Sequence, residues 1–128
     1  MSGATLVAVG VGGALGATAR YLVAGGLQGM LGDAFPWGTL GVNVSGSFLL
    51  GLLFAAIARG SIPPEFQALF AVGILGSFTT FSAFSLETLA LIQEGAWVRA
   101  ATYALGSLAL GLAAVAAGMA LAGGLRRP

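Results

Sequence analysis

Asn43 is the side chain of this sequence best equipped to handle a small solute. Its carboxamide offers two donors and two acceptors. Thr39 and Ser47 stand four residues to either side of it, and that spacing puts all three on one face of a helix. On the residues alone two readings of Asn43 stay open: glue to a neighbouring helix, or a donor to a bound or passing solute. A second group runs Gly73-Ile74-Leu75-Gly76-Ser77-Phe78-Thr79-Thr80-Phe81-Ser82-Ala83-Phe84-Ser85. Two glycines followed by two adjacent threonines make a poor uninterrupted helix. A break here frees backbone carbonyls and amides, and freed groups of that kind hold ions where they line a cavity. The competing reading is a continuous helix whose hydroxyls bond back to the preceding turn. Phe78, Phe81 and Phe84 recur every three residues. Such rings usually pack, but their positive edges can also face a small anion beside Asn43.

The remaining polar groups are few. Glu87 reads either as a proton or cation group or as a structural carboxylate. Arg20, beside Tyr21, can snorkel to the interface and favour a helix C-terminus, or draw anions into a vestibule. Tyr103 and Ser107 stand four apart, with Gly111 one step further, and can extend a polar track. There is no cysteine and no histidine, so thiolate, zinc-thiolate and imidazole chemistry are excluded. No nucleophile–base pair or nucleotide loop is found, and the reading is not an enzyme. A net charge of +1 gives no basic field for nucleic acid.

These groups need elements to hold them, and the composition says which kind. Of 128 residues, 58% are hydrophobic and only 7% charged, against five basic and four acidic residues. A soluble domain carries roughly a quarter charged residues. Mean hydropathy is +0.99 and 22 residues are glycine, which suits a polytopic membrane protein with close helix packing. The expectation is an all-α membrane protein forming one domain over residues 1–128. Four apolar helices are expected at about 4–26, 39–58, 66–91 and 98–122, each near the ~20 residues that cross a bilayer. Turn residues separate them: Gly32 to Trp37, Arg59 to Glu65, and Gln93 to Trp97. The two tryptophans fall at boundaries, as interfacial anchors do. Met1-Ser2-Gly3-Ala4 carries no positive region, so the first apolar stretch is expected to stay in the mature protein.

Four spans put both termini on one side, with Arg59, Arg126 and Arg127; the other side has Arg99 and Arg20. That bias fits either one fixed orientation or insertion in both. Four helices are too thin a wall to enclose a hydrated path alone. Small-residue pairs at Gly12 and Gly16, Gly41 and Ser45, and Ser107 and Gly111 suit close helix contact. They lead to the expectation of an oligomer, most simply a dimer.

The stretches Gly12 to Tyr21, Gly38 to Gly51 and Gly73 to Glu87 resemble, in order and spacing, the first three helices of the Fluc (CrcB-type) fluoride channels. The resemblance implies an antiparallel, dual-topology homodimer with two pores that passively exports fluoride across the inner (plasma) membrane of a microbe. It implies that Asn43 bonds fluoride, that Phe81 and Phe84 form an aromatic box with rings from both subunits, and that Thr39, Tyr103 and Ser107 belong to a polar track. Arg20 would sit by the vestibule. Backbone carbonyls of Gly76 and Thr79, doubled by the dimer axis, would hold a structural sodium ion. Ser77, Ala83 and Gly111 depart from the family pattern, and Gly111 stands where a serine of the track is expected. Fluoride as the ion comes from the resemblance alone. Two other classes remain in play: a proton-coupled exporter of organic cations, which needs a membrane-embedded carboxylate, and an accessory subunit that only packs on a partner.

Overall fold

The computed structural model describes residues 1–60 and 62–123, and all regular structure among them is helical. Arg126 and Arg127 lie outside the described residues. Four spans are long and apolar enough to cross a bilayer: Gly3–Leu31, Trp37–Ala58, Pro64–Gln93 and Trp97–Leu121. They are α1 (Gly3–Leu31), α2 (Trp37–Ala58), a composite third span, and α6 (Trp97–Leu121).

Helix α1 starts where Ser2 caps it, its hydroxyl accepting from the Thr5 amide at 3.1 Å. It runs five residues past the expected end at 26. Gln28 is the reason: its amide donates to the carbonyls of Gly32 and Phe35, at 2.6 and 2.9 Å, and its oxygen accepts from the Gly38 amide at 3.1 Å. One side chain thus satisfies the backbone groups of the turn into α2. Gly32, at φ +89°, supplies the reversal that an L side chain resists.

The third span is assembled from pieces. Pro64–Gln67 (α3) opens it, with proline at the first turn. Ala68–Leu75 widens into a π-helix, and Gly76–Phe78 (α4) closes the first half. Thr79 and Thr80 are extended, at ψ 157° and 115°. Phe81–Gln93 (α5) resumes the helix. The expected break is therefore present. The regular i, i+3 spacing of the phenylalanines does not make one stripe, because the extended pair resets the helical phase. Phe78 is buried against Gly46, whereas Phe81 is 79% exposed.

Helix α1 packs on the first half of the third span, and α2 packs on α6. Gly12 and Gly16 make the first contact possible: a Cβ on Gly16 would collide with the Ile74 carbonyl. Gly51 and Gly118 do the same between α2 and α6, against Val115 and Phe48. The close contact that Gly12 and Gly16 were expected to make is therefore taken up inside the chain, and these two glycines are not evidence for an oligomer. Both are buried within the chain itself, as four-helix packing in lipid needs small residues to let backbones approach. A Cβ on Gly41 would likewise run into Leu27. Near one end of the bundle, Leu91, Ala100 and Tyr103 form a core on which Phe35, Leu40 and Phe84 pack.

Candidate functional site

The break at Thr79–Thr80 is the natural starting point, since it frees backbone groups in the middle of a span. Asn43 of α2 answers two of them. Its Nδ2 donates to the Thr80 carbonyl at 3.0 Å, and its Oδ1 accepts from the Thr80 amide at 2.7 Å. The Thr80 hydroxyl then caps α5, accepting from the Ala83 amide at 3.2 Å. Arg20 of α1 answers a third group, its Nε donating to the Ser77 carbonyl at 2.9 Å. A guanidinium is well placed at the carboxyl end of the first half, where the helix dipole is negative. Arg20 thus reaches across the bundle to the break; it also lines a recess with Tyr21 and Gly25.

The glue reading of Asn43 is therefore satisfied, and the donor reading survives beside it. An amide nitrogen carries two hydrogens, and only one is used on Thr80. Asn43 borders two cavities. One, of about 180 Å³, is lined by Asn43, Ser47, Phe81, Phe84, Ser107, Leu108 and Gly111. Four of the expected site residues, Asn43, Phe81, Phe84 and Ser107, meet there. Among the described residues the Ser107 hydroxyl is buried with no partner, and buried hydroxyls without partners call for an explanation. Ser47 stands across from Gly111: a Cβ on Gly111 would lie 3.9 Å from the Ser47 hydroxyl. A hydroxyl is thus supplied beside the place where the track seemed to lose one. The rings of Phe81 and Phe84 are tilted, 5.7 Å apart.

The second cavity, of about 280 Å³, opens on the other side of Asn43, beside Gly46, Leu75, Gly76, Thr79 and Thr80. Gly76 is exposed. Among the described residues no amide or side chain from across the break bonds to the carbonyls of Gly76 or Thr79. Neutral oxygens of this kind fit a hard cation such as sodium.

Thr39 and Tyr103 are brought together one step further on, by a residue sequence reasoning left undecided. Glu87 accepts from the Thr39 hydroxyl at 2.6 Å and from the Tyr103 hydroxyl at 3.1 Å, one oxygen each. Tyr103 is fully buried; its ring lies 5.2 Å from Phe84 and 5.4 Å, edge-on, from Phe35. A signal for this cluster exists in the sequence. Thr39 opens the second span, Glu87 nears the end of the third and Tyr103 follows the start of the fourth, so all three fall toward one face of the membrane. Single-helix spacing does not display such a match.

The comparisons with known proteins agree on one family. The family described as CrcB-like protein, Camphor Resistance (CrcB), matches residues 7–119. A Methylococcus capsulatus protein named fluoride-specific ion channel FluC is 53% identical over 119 residues, covering 92% of this chain and 52% of its own. The chain thus spans about half the length of that relative. Proteins of the same name from Nitrobacter winogradskyi and Thermus thermophilus are 48% and 50% identical, covering 89% and 91% of this chain and 91% and 92% of their own.

Proposed function

The chain belongs to the CrcB-like family, and we propose on that footing that it is a fluoride-selective channel. It is a multi-pass protein of a bacterial inner membrane, and it lets fluoride leave the cytoplasm passively. The name its relatives carry is that of a channel, not of an enzyme.

One observation supports this above the others: the cavity where Asn43, Phe81, Phe84 and Ser107 converge, with the Ser107 hydroxyl buried and unpartnered. Fluoride is a strongly hydrated acceptor. To enter lipid depth it must exchange water for fixed donors. The free amide hydrogen of Asn43, the Ser107 hydroxyl and the positive ring edges of Phe81 and Phe84 supply them without a full positive charge. A conductor gains from that neutrality, because it must bind the ion without trapping it.

What one chain leaves bare supports a finer assembly. Phe81 is 79% exposed at mid-span, and a ring from a second copy would complete its side of the cavity. Gly76 is exposed, and among the described residues its carbonyl has no partner from across the break; in lipid such a group costs several kcal/mol unless it is covered. A homodimer covers both. In an antiparallel pair the carbonyls of Gly76 and Thr79 from each copy would hold a sodium ion, which neutralises their dipoles, and two pores would flank the axis. The near balance of arginines between the two faces suits insertion in both orientations.

Efflux from liposomes tests the reading. Vesicles holding the purified protein are loaded with fluoride or chloride, and an ionophore removes the potential. Fast fluoride loss with negligible chloride loss is expected. No fluoride loss from correctly reconstituted protein would overturn the function.

A further inference from the structure

The end of the bundle that holds the turns into α2 and α6 carries two adjoining recesses of opposite character. One, of about 360 Å³, is a groove between the start of α2 and the first half of α6. Phe35, Trp37, Leu40, Tyr103, Gly106 and Leu110 line it, and the surface they present is almost wholly apolar. From Thr102 to Leu110 it follows α6 for ~12 Å, at 1.5 Å per residue. Gly106 leaves it open: a Cβ added there would meet nothing within 4 Å. The buried Tyr103 ring closes its inner side, with Phe35 toward the groove and Phe84 toward the Asn43 cavity. Among the described residues none of the third span lines the groove, and it is through that span that a dimer would close.

The other recess, of about 250 Å³, meets the groove at Phe35, which lines both. It is charged in both signs. Arg99 stands one turn of α6 ahead of Thr102 and Tyr103. It uses one donor on the Ala34 carbonyl, at 2.9 Å, and a guanidinium has five. Asp33 and Glu94, both exposed, line the same recess. Glu87 is less exposed there, and its two oxygens are taken by the hydroxyls of Thr39 and Tyr103.

An apolar groove in a bilayer fills with a hydrocarbon chain, because an empty one forfeits dispersion contacts along its walls. The charges at its mouth select the headgroup. A purely anionic headgroup would gain Arg99 but meet Asp33 and Glu94 as like charges. A phosphate that carries an ammonium one short link away meets both signs. A primary ammonium also has three hydrogens to give to carboxylates, where a quaternary one has none. We propose that the groove and its charged mouth bind an amine-bearing zwitterionic phospholipid of the phosphatidylethanolamine class, with its phosphate on Arg99, its ammonium between Asp33 and Glu94, and one acyl chain along Gly106. Trp37 stands at the interfacial depth where indoles settle and packs beside that chain. The proposal needs only that the protein spans a bilayer, so a failed fluoride assay leaves it standing.

Trp37 supplies the assay. In a Trp97→Phe background it is the only indole, and bromine on an acyl chain seated in the groove quenches its fluorescence. The protein is reconstituted in phosphatidylcholine bilayers doped with phosphatidylethanolamine, phosphatidylcholine or phosphatidylglycerol brominated on the acyl chains. The ethanolamine lipid should compete for the groove about fivefold better than the choline lipid, the scale of two exposed charge pairs. Asp33→Asn combined with Glu94→Gln should abolish that preference, and both side chains are exposed, so the fold is not at stake. Glu65→Gln, at the opposite face of the membrane, should keep it. Gly106→Leu fills the groove from a position whose Cβ meets nothing, and it should weaken quenching by all three lipids. Equal quenching by the three headgroups would mean ordinary boundary lipid, and stronger quenching by the glycerol lipid would mean a plain anion on Arg99; either overturns the proposal. A preference that survives the loss of both carboxylates overturns it as well. Quenching by none of the three would mean that a second copy of the protein covers the groove, and that result also overturns it.

Discussion

Asn43→Ala should loosen the break in the third span as well as the ion path. The alanine strips two partners from Thr80 at once, the 2.7 Å bond to its amide and the 3.0 Å bond to its carbonyl. A buried backbone group left without a partner costs about 1–3 kcal/mol. The recess of about 280 Å³ beside Thr80 has room for water to replace part of the loss, so the lower end applies to each group. The expected destabilisation is about 2 kcal/mol. Asn43→Asp should cost more, because it keeps an acceptor for the Thr80 amide but turns a second oxygen toward the Thr80 carbonyl. The assay is reversible unfolding of the purified protein in mixed micelles, with Ser47→Ala as the comparison one turn along the same helix. Efflux is measured on the same preparations, and Asn43→Ala should conduct poorly. If Asn43→Ala costs no more than ~0.5 kcal/mol, the size of an ordinary surface change, Asn43 does not hold the break. The structural argument would then be wrong even if fluoride flux were lost.

Two further outcomes are expected. Ser107→Ala should leave stability unchanged or slightly raised, since the hydroxyl has no partner to lose, while fluoride efflux falls; reduced stability in the same unfolding assay would show that the hydroxyl is bonded after all. Gly16→Ala should lower stability by about 1–3 kcal/mol, because its Cβ collides with the Ile74 carbonyl and backbone must move; Gly25→Ala, which meets nothing nearby, should not.

Features carried by local pattern were legible in the sequence. Four apolar runs give four spans, and adjacent glycines and threonines mark the break. The sequence is less informative wherever a partner comes from another helix. Gly12 and Gly16 advertise close packing but not whose backbone they meet, and the answer is the 73–74 stretch of the same chain. Arg20 reads as an interfacial cation because nothing nearby in sequence shows that Ser77 offers it a carbonyl. Helix α1 outruns its expected end because Gln28 bonds forward to Gly38, ten residues on. The π-helical stretch of the third span has no composition of its own; it arises where that span lies against the glycines of α1. The residues lining the Asn43 cavity stand in local motifs that the sequence displays, whereas Glu87 stays open in the sequence because its two partners sit on different spans.

The fastening of the break has a consequence for how such a protein can diversify. The break is held from two sides, Ser77 by Arg20 of α1 and Thr80 by Asn43 of α2, so three of the four spans meet at one joint. A change there is judged first by whether the chain still folds and only then by what it conducts. The opposite wall of the cavity carries no such double duty: among the described residues the Ser107 hydroxyl has no partner, and Gly111 leaves space. Variation in ion preference is therefore expected to accumulate on α6, where a lineage can try a new donor without first rebuilding the bundle.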